Sequence, residues 1–188
     1  MSAEDFKYVE KGAYHWSFTY NTELRRFDPR NHARYDVPLR LLRRHGALRP
    51  HQIGLEIGCG DGVMLYKAMR GGTRVIGLDL SRPGLILARD EIKRRLGRQP
   101  PLLHGSCYEL PLATASVDYV ISVEVIEHLP AVDRYLREIR RVLRPGGLFA
   151  LTTPHRLPSG IPQDPFHVRE FDGSELRECL RPHFGQVF

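Results

Sequence analysis

The stretch Leu55-Glu56-Ile57-Gly58-Cys59-Gly60-Asp61-Gly62 decides the fold. Apolar residues over 52–57 predict a short buried strand, and residues 62–70 predict a helix that follows the glycines directly. Glycines between a strand and a helix let the backbone turn tightly and approach a ligand closely. The first turn of that helix offers unpaired N–H groups and a partial positive charge, which suit a phosphate or a carboxylate. The stretch therefore predicts a ligand-binding turn.

Short apolar strands alternate with helices after this turn. Such alternation predicts βαβ units in an α/β fold, namely a Rossmann-like, doubly wound and mostly parallel sheet with helices on both faces. Ligands of these sheets bind beyond the carboxyl ends of the strands. The further strands are predicted over 74–78, 101–104, 117–123 and 148–152, with the start of a sixth at 185–188, and the further helices over 36–46, 81–96, 131–143 and 174–180.

Length and composition indicate an ordinary globular protein. The 188 residues are 41% apolar and 27% charged, which fits a domain with a proper core. No run of eighteen apolar residues occurs, so we expect no membrane span, and residues 1–12 lack the apolar stretch of a secretory signal. The three cysteines are odd in number and form no Cys-x-x-Cys pair, which favours a cytoplasmic protein.

Residues 1–50 differ from the rest in composition. They carry aromatic side chains at Tyr14, His15, Trp16, Phe18 and Tyr20. We expect residues 1–50 to form an N-terminal helical cap, and residues 51–188 to form the ligand-binding domain. The aromatic residues of the cap either close as a lid over the site or pack against the domain.

The formal net charge of +6 permits an anionic acceptor or a nucleic acid. An arginine-rich surface explains such a surplus equally well. Since no block of five like charges occurs, the sequence predicts no basic tail, and nucleic acid is not the favoured partner.

Two classes of cofactor compete for the glycine-rich turn. A dinucleotide site requires the spacing Gly-x-Gly-x-x-Gly, which would place its third glycine where Val63 stands. The third glycine comes one residue earlier, at Gly62, so the dinucleotide interpretation is weakened. Glu56 ends the strand as a carboxylate that suits an amino group. Asp79 follows the glycines by about twenty residues, where an acid accepts the hydroxyls of a ribose.

These features, taken together, resemble the class I S-adenosylmethionine-dependent methyltransferases. The resemblance covers about residues 50–155 and implies that the chain is a methyltransferase with S-adenosylmethionine as its cofactor. It rests on Glu56-x-Gly58-x-Gly60-x-Gly62, Asp79, Leu110-Pro111, the strand Val117-Asp118-Tyr119-Val120, and Leu143-Arg144-Pro145-Gly146-Gly147.

The resemblance also implies which residues hold the cofactor. Gly58 and Gly60 approach its methionine portion, Glu56 holds the ammonium group, Asp79 binds the ribose, and Leu80 packs on the adenine. Cys59 and Ser122 are also expected to bind the cofactor. The family often has an acid after the third strand that faces the adenine amino group. This chain has Gly105-Ser106-Cys107 there, so we expect Ser106 or the backbone of Cys107 to replace that acid.

The acceptor side is predicted from histidines and carboxylates that follow the fourth and fifth strands. His128 and His155 are candidate bases for removing a hydroxyl proton. The run Glu124-x-x-Glu127-His128 resembles metal-dependent members, namely ubiquinone-pathway O-methyltransferases and small-RNA 2′-O-methyltransferases. That resemblance implies a divalent metal held by these three residues and by a downstream histidine, His167. The alternative is a plain helix start with favourably placed acids.

The favoured acceptor is a hydroxyl of a small molecule or sugar, by resemblance to enzymes that modify quinols, glycans or secondary metabolites. The alternatives are an RNA methyltransferase, a non-catalytic cofactor-binding subunit that supports a partner, and, third, a nicotinamide oxidoreductase. The family fold has seven strands, the last two in a hairpin, and this chain has no sequence for the last strand. We therefore expect either a truncated or minimal chain, or a partner or second copy that covers the sheet edge.

Overall fold

A five-stranded parallel sheet lies at the centre of the computed structural model, which describes residues 8–13, 15–16 and 32–188. The strand order is β3-β2-β1-β4-β5, and every neighbouring pair is parallel. This arrangement confirms the predicted doubly wound α/β sheet. The strands are β1 (Ile53–Ile57), β2 (Arg74–Asp79), β3 (Leu102–His104), β4 (Val117–Val123) and β5 (Leu143–Thr152).

The helices begin and end close to the predicted positions. Ser81 caps the third helix by accepting a hydrogen bond from the Gly84 N–H at 3.2 Å, and Gly97 ends it with a φ of 69°. The α-helices are α1 (Val37–Arg44), α2 (Val63–Arg70), α3 (Arg82–Leu96), α4 (Val132–Val142) and α5 (Gly173–Leu180), with a π-helix at His32–Asp36 and a 3₁₀ helix at Ile126–His128.

Two apolar clusters cover the two faces of the sheet. Helices α1, α2 and α3 contribute to the first cluster, in which Met64 and Leu65 of α2 are buried. Helices α4 and α5 contribute to the second, in which Tyr135 and Ile139 of α4 are buried. Right-handed crossovers produce this division, because the chain leaves β1 in one direction and β4 in the other.

The strand register brings the carboxyl ends of the strands to one edge. Ile57 of β1 pairs with Leu78 of β2 and with Ser122 of β4. Val123 pairs with Thr152, the last residue of β5. The residues that follow β1, β2, β4 and β5 therefore lie along the same edge of the sheet, and these are the segments that carry the predicted site.

Two details of the predicted strands are wrong. Strand β5 begins at Leu143 rather than at residue 148, and its pairing with β4 is interrupted by an irregularity between Val117 and Tyr119. The expected sixth strand does not form, since residues 185–188 are irregular. Just before this segment, Phe184 packs against the second cluster, and its ring centroid lies 5.4 Å from that of Phe149. Side-chain packing therefore holds this end of the chain in place of strand pairing. That a partner covers the β5 edge stays a prediction.

The described part of residues 1–50 packs onto the same core. Trp16, Tyr35, Leu39 and Leu42 are buried in the first cluster together with residues of α2. Tyr14, Phe18 and Tyr20 lie outside the described residues, so the lid stays a prediction. Of the helices in the described ranges, none has the length and apolarity required to cross a bilayer.

Candidate functional site

The glycine-rich turn wraps around the end of β1. Gly58, Gly60 and Gly62 have φ values of 71°, 51° and 88°, which lie in the left-handed region that side chains disfavour. The N–H groups of Gly58 and Cys59 donate to the Leu78 carbonyl oxygen at 2.8 and 3.1 Å. These bonds fasten the turn to the end of β2 and hold its backbone in one conformation.

Glu56 lies beneath this turn with an incomplete set of partners. The residue is only 2% exposed, and its Oε2 has no hydrogen-bond partner within the part of the chain that is described. Burial, together with the nearby carboxylates of Asp79 and Asp61, raises the pKa of Glu56 well above its ordinary value. A buried, unpaired acceptor is costly, so the site suits a cationic group that approaches this oxygen.

Asp79 joins the turn to the end of β2. Its Oδ2 accepts a hydrogen bond from the Gly60 N–H at 2.7 Å, and its Oδ1 accepts one from the Ser81 N–H at 2.7 Å. A carboxylate has about four lone-pair sites, so acceptor capacity remains for ribose hydroxyls. Leu80, the next residue, is 53% exposed. An exposed leucine beside this acid is available to pack on a flat ring.

The remaining predicted cofactor residues differ in exposure. Cys59 and Ser122 are buried, and burial with nearby Asp79 and Glu56 raises the pKa of the Cys59 thiol. The Cys107 and Ser106 side chains are partly exposed after β3, where the Ser106 hydroxyl accepts a bond from the Tyr108 N–H at 3.2 Å. Contact of these four residues with a cofactor stays a prediction.

Three of the four predicted metal ligands come together. Glu127, His128 and His167 each place one ligand atom within 4.8 Å of the others. Glu127 is fully buried; its Oε2 accepts a bond from the Thr153 hydroxyl at 3.0 Å, and its Oε1 has no partner among the residues described. Burial raises the pKa of Glu127 to about 7.

Neighbouring groups set the tautomers of both histidines in this cluster. His128 Nδ1 lies 3.1 Å from the Phe166 carbonyl oxygen, and because a carbonyl oxygen only accepts, Nδ1 carries the proton. His167 Nδ1 lies 2.6 Å from Oε1 of the buried Glu170. Although burial acts to raise it, hydrogen bonds from His167 and Gln163 hold the pKa of Glu170 below its ordinary value. In the neutral rings, Nε2 of both histidines therefore carries the lone pair.

Glu124, the fourth predicted ligand, lies outside this cluster. Its side chain forms an ion pair with Arg34 at 3.1 Å, and its backbone has a φ of 54°. A left-handed conformation is uncommon for glutamate, and here the Glu124 N–H donates to the Thr152 carbonyl oxygen at 3.0 Å. The sequence predicted neither the conformation nor Arg34, because the ion pair joins residues 90 positions apart.

A cleft of about 1230 Å³ opens beside β5 and the loop that follows it. His155 lines this cleft and is exposed. Its Nδ1 lies 3.3 Å from the Phe171 carbonyl oxygen, which leaves Nε2 as the acceptor of the neutral ring. Arg34, Glu124 and Thr153 also line the cleft, so it adjoins the metal-ligand cluster through the bond from Thr153 to Glu127.

The family model described as a methyltransferase domain matches residues 55–151. This span holds the glycine-rich turn, Asp79, and the segment from Glu124 to His128. The chain belongs to this family. The methyltransferase-domain assignment confirms the family that the motifs resemble, and it agrees with the order of the strands.

Two relatives are similar in sequence to this methyltransferase domain. A Mycolicibacterium smegmatis protein named "Probable S-adenosylmethionine-dependent methyltransferase" is 40% identical over 130 residues, which are 67% of this chain and 49% of that protein. A ubiquinone biosynthesis O-methyltransferase of Ruegeria pomeroyi is 34% identical over 55% of this chain and 42% of its own length. The chain thus spans about half the length of the curated relatives it matches.

A solved structure shares the fold. A chain in the complex between the Haloferax volcanii Trm112 methyltransferase activator and its methyltransferase has a TM-score of 0.72 and 20% identity. The similarity covers 97% of this chain and 76% of that chain. At this identity the match shows the fold, which the methyltransferase domain shares with it over nearly all of its length.

Several residues of the site carry roles that sequence reasoning missed. Asp61 binds the N-terminal segment, Thr153 binds Glu127, and Glu170 orients His167. The one available signal was the position of Glu170, three residues after His167. Asp61 gave none, because its partner lies 46 positions away in the chain.

Proposed function

We propose that this methyltransferase domain binds S-adenosylmethionine and transfers its methyl group to a hydroxyl of a small molecule or sugar. The main supporting observation is Glu56, a buried carboxylate two residues before the left-handed glycine turn, whose Oε2 has no hydrogen-bond partner among the residues that the structure describes. The ammonium group of the cofactor would supply the missing positive partner. The relatives named above support the same cofactor.

The residues present fit the parts of this cofactor. Glu56 would hold the ammonium, the remaining acceptor sites of Asp79 would bind the ribose hydroxyls, and exposed Leu80 would pack on the adenine. The cofactor supplies a methyl group that is activated by its positively charged sulfur. The chain itself would align the acceptor oxygen with that methyl group and take up the hydroxyl proton, so most of its contribution is positioning and general base catalysis.

Calorimetric titration with S-adenosylhomocysteine tests the cofactor. We expect micromolar binding, because the ammonium and ribose groups of that product are those that Glu56 and Asp79 fit. Nicotinamide adenine dinucleotide, titrated in parallel, should give no heat, since Val63 stands where that class of site requires its third glycine. Binding of the dinucleotide with none of S-adenosylhomocysteine would overturn the proposal.

The cleft beside β5 supports a small-molecule acceptor. Its volume of about 1230 Å³ is ample for an organic ligand, and its lining mixes aliphatic residues with Arg34, Glu124 and His155. The similarity to a ubiquinone biosynthesis O-methyltransferase supports a hydroxyl as the accepting group. We assign His155 as the base, because it lines this cleft with Nε2 as the acceptor nitrogen.

The cluster of Glu127, His128 and His167 fits a divalent metal. One carboxylate oxygen and two imidazole nitrogens form a mixed ligand set that first-row metals accept. Two features are typical of such sites, in which an outer carboxylate orients a histidine ligand: the Oε1 of buried Glu127, which has no partner among the described residues, and the hydrogen bond that His167 donates to Glu170. A bound metal would orient and acidify the acceptor hydroxyl. In this assignment His128 is a ligand rather than the base.

Replacing His167 by alanine should abolish the binding of Mn²⁺ that calorimetry detects in the wild type. Replacing Glu170 by glutamine should weaken it by about 10- to 100-fold, because the outer partner of a histidine ligand is lost. His45→Ala, which changes an exposed histidine next to α1, is the control and should bind Mn²⁺ like the wild type. No heat with the wild type, together with full methylation activity in a chelator, would rule the metal out.

A further inference from the structure

The described N-terminal residues lie directly on the glycine-rich turn. We define residues 8–13 and 15–16 as the strap. We infer that the strap is part of the cofactor site, with Tyr8 as a residue that contacts the cofactor and Asp61 as the anchor that holds the strap in place. This inference rests on the proposed function, since it assigns residues to the same cofactor site.

Asp61 makes three hydrogen bonds to the strap. The backbone N–H of His15 donates to Asp61 Oδ2 at 3.1 Å, and the ring Nδ1 of His15 lies 3.0 Å from Asp61 Oδ1. The Trp16 indole N–H donates to the Asp61 carbonyl oxygen at 2.6 Å. Asp61 is 1% exposed, so its carboxylate is removed from water and depends on these partners. Its position inside the turn, between Gly60 and Gly62, ties the strap to the backbone that the cofactor approaches.

Trp16 fixes the other side of the strap. Its ring meets the Tyr66 ring edge-on at 5.1 Å, and the Arg95 guanidinium lies 4.4 Å from its centroid. With an exposure of 4%, Trp16 belongs to the first apolar cluster beside α2. The strap therefore has an apolar anchor in addition to the polar one at Asp61.

Tyr8 occupies the space that a side chain at Gly60 would need. A Cβ atom built on Gly60 would collide with the Tyr8 hydroxyl oxygen, and one built on Gly84 would lie 3.2 Å from the Tyr8 ring. The Gly60 N–H is also the group that binds Asp79, the predicted ribose acid. Tyr8 thus lies between the turn after β1 and the start of α3, next to the predicted methionine and ribose positions. Its hydroxyl and ring therefore lie where a cofactor bound at this turn would contact them.

Trp16 is the single tryptophan of the sequence, so its fluorescence reports the strap alone. Asp61→Ala removes both bonds to the His15 residue. We expect this variant to show stronger acrylamide quenching of Trp16 and an affinity for S-adenosylhomocysteine about tenfold below wild type. Asp90→Ala, which changes an exposed acid on α3, is the matched control and should alter neither.

Variants of Tyr8 distinguish its contact with the cofactor from the anchoring of the strap by Asp61. Tyr8→Ala should lower the affinity for S-adenosylhomocysteine about tenfold while Trp16 quenching stays as in wild type, and Tyr8→Phe should lose a part of that affinity. If Asp61→Ala fails to unfold cooperatively, His15→Ala replaces it, since that change leaves the turn intact and should also expose Trp16 and weaken binding.

Two results would overturn the inference. One is exposure of Trp16 in Asp61→Ala or His15→Ala with unchanged affinity, which would separate the strap from the cofactor site. The other is an unchanged or tighter affinity in Tyr8→Ala, which would mean that Tyr8 does not support the bound cofactor. If the wild type itself binds no S-adenosylhomocysteine, the proposed function fails along with the inference about the strap. If the wild type binds and the variants bind equally tightly, only the inference about the strap fails.

Discussion

Replacing Glu56 by glutamine is expected to weaken the binding of S-adenosylhomocysteine by about 10- to 100-fold, because a hydrogen bond to a charged group contributes about 1.5–3 kcal/mol. The ligand-free variant should nevertheless melt at a temperature at least as high as the wild type. Glu56 is buried beside two other carboxylates, and its Oε2 has no partner in the described part of the chain, so its charge disfavours the folded state until a cation binds. Calorimetry and thermal unfolding measure the two effects.

The pH dependence of both quantities follows from the raised pKa of Glu56. A carboxyl whose folded-state pKa is raised adds stability below its unfolded pKa and loses it as the pH rises through the folded pKa, so the ligand-free protein should lose this contribution toward higher pH. Binding of an ammonium group requires the carboxylate. The affinity of the wild type should therefore fall as the pH is lowered through that pKa, and the affinity of Glu56→Gln should not follow it.

Two controls isolate the ammonium contact. 5′-Methylthioadenosine keeps the adenosine portion and lacks the amino acid portion, so Glu56→Gln should bind it as the wild type does. Glu178→Gln, which changes an exposed acid on α5, should leave every affinity unchanged. Equal loss of both ligands in Glu56→Gln would show a damaged turn rather than a lost partner for the ammonium.

The sequence predicted the strands, helices and glycine-rich turn of residues 53–97 closely because these features are local. The turn at 58–62 lies within one strand–helix unit, and the caps Ser81 and Gly97 bound α3 where they were expected. Asp79 is the last residue of the next strand, β2. Each of these features depends on residues only a few positions apart, so periodicity and turn chemistry are sufficient to place them.

The acceptor half could be predicted only in part because its geometry depends on contacts between distant residues. Glu124 was expected in the same cluster as Glu127, yet its side chain pairs with Arg34 and is not part of the cluster formed by Glu127, His128 and His167. His167 joined the cluster as expected, 40 positions from Glu127, whereas the partner of Asp61 in the strap went unforeseen. Local patterns carry no information about which distant segment folds over a site.

Replacing His155 by alanine should lower the rate of methyl transfer on the order of 10²- to 10⁴-fold, the contribution of a positioned general base, while the affinity for S-adenosylhomocysteine stays at the wild-type value. We expect this loss because His155 lines the cleft after β5. Its Nδ1–H donates to the Phe171 carbonyl oxygen, which leaves Nε2 to accept the proton. Transfer of labelled methyl groups to a panel of catechols, quinols and sugars gives the rate.

Added imidazole distinguishes a lost base from a deformed cleft. A free imidazole that enters the space left in His155→Ala should restore part of the rate, whereas any rescue of His128→Ala should require added Mn²⁺ and disappear in a chelator, because imidazole would act there as a replacement metal ligand. The His128→Ala variant should instead lose Mn²⁺ binding together with activity, because its Nε2 belongs to the cluster with Glu127 and His167. If His155→Ala methylates at the wild-type rate and imidazole rescues His128→Ala in the presence of a chelator, His128 rather than His155 is the base, and the cluster is not a metal site.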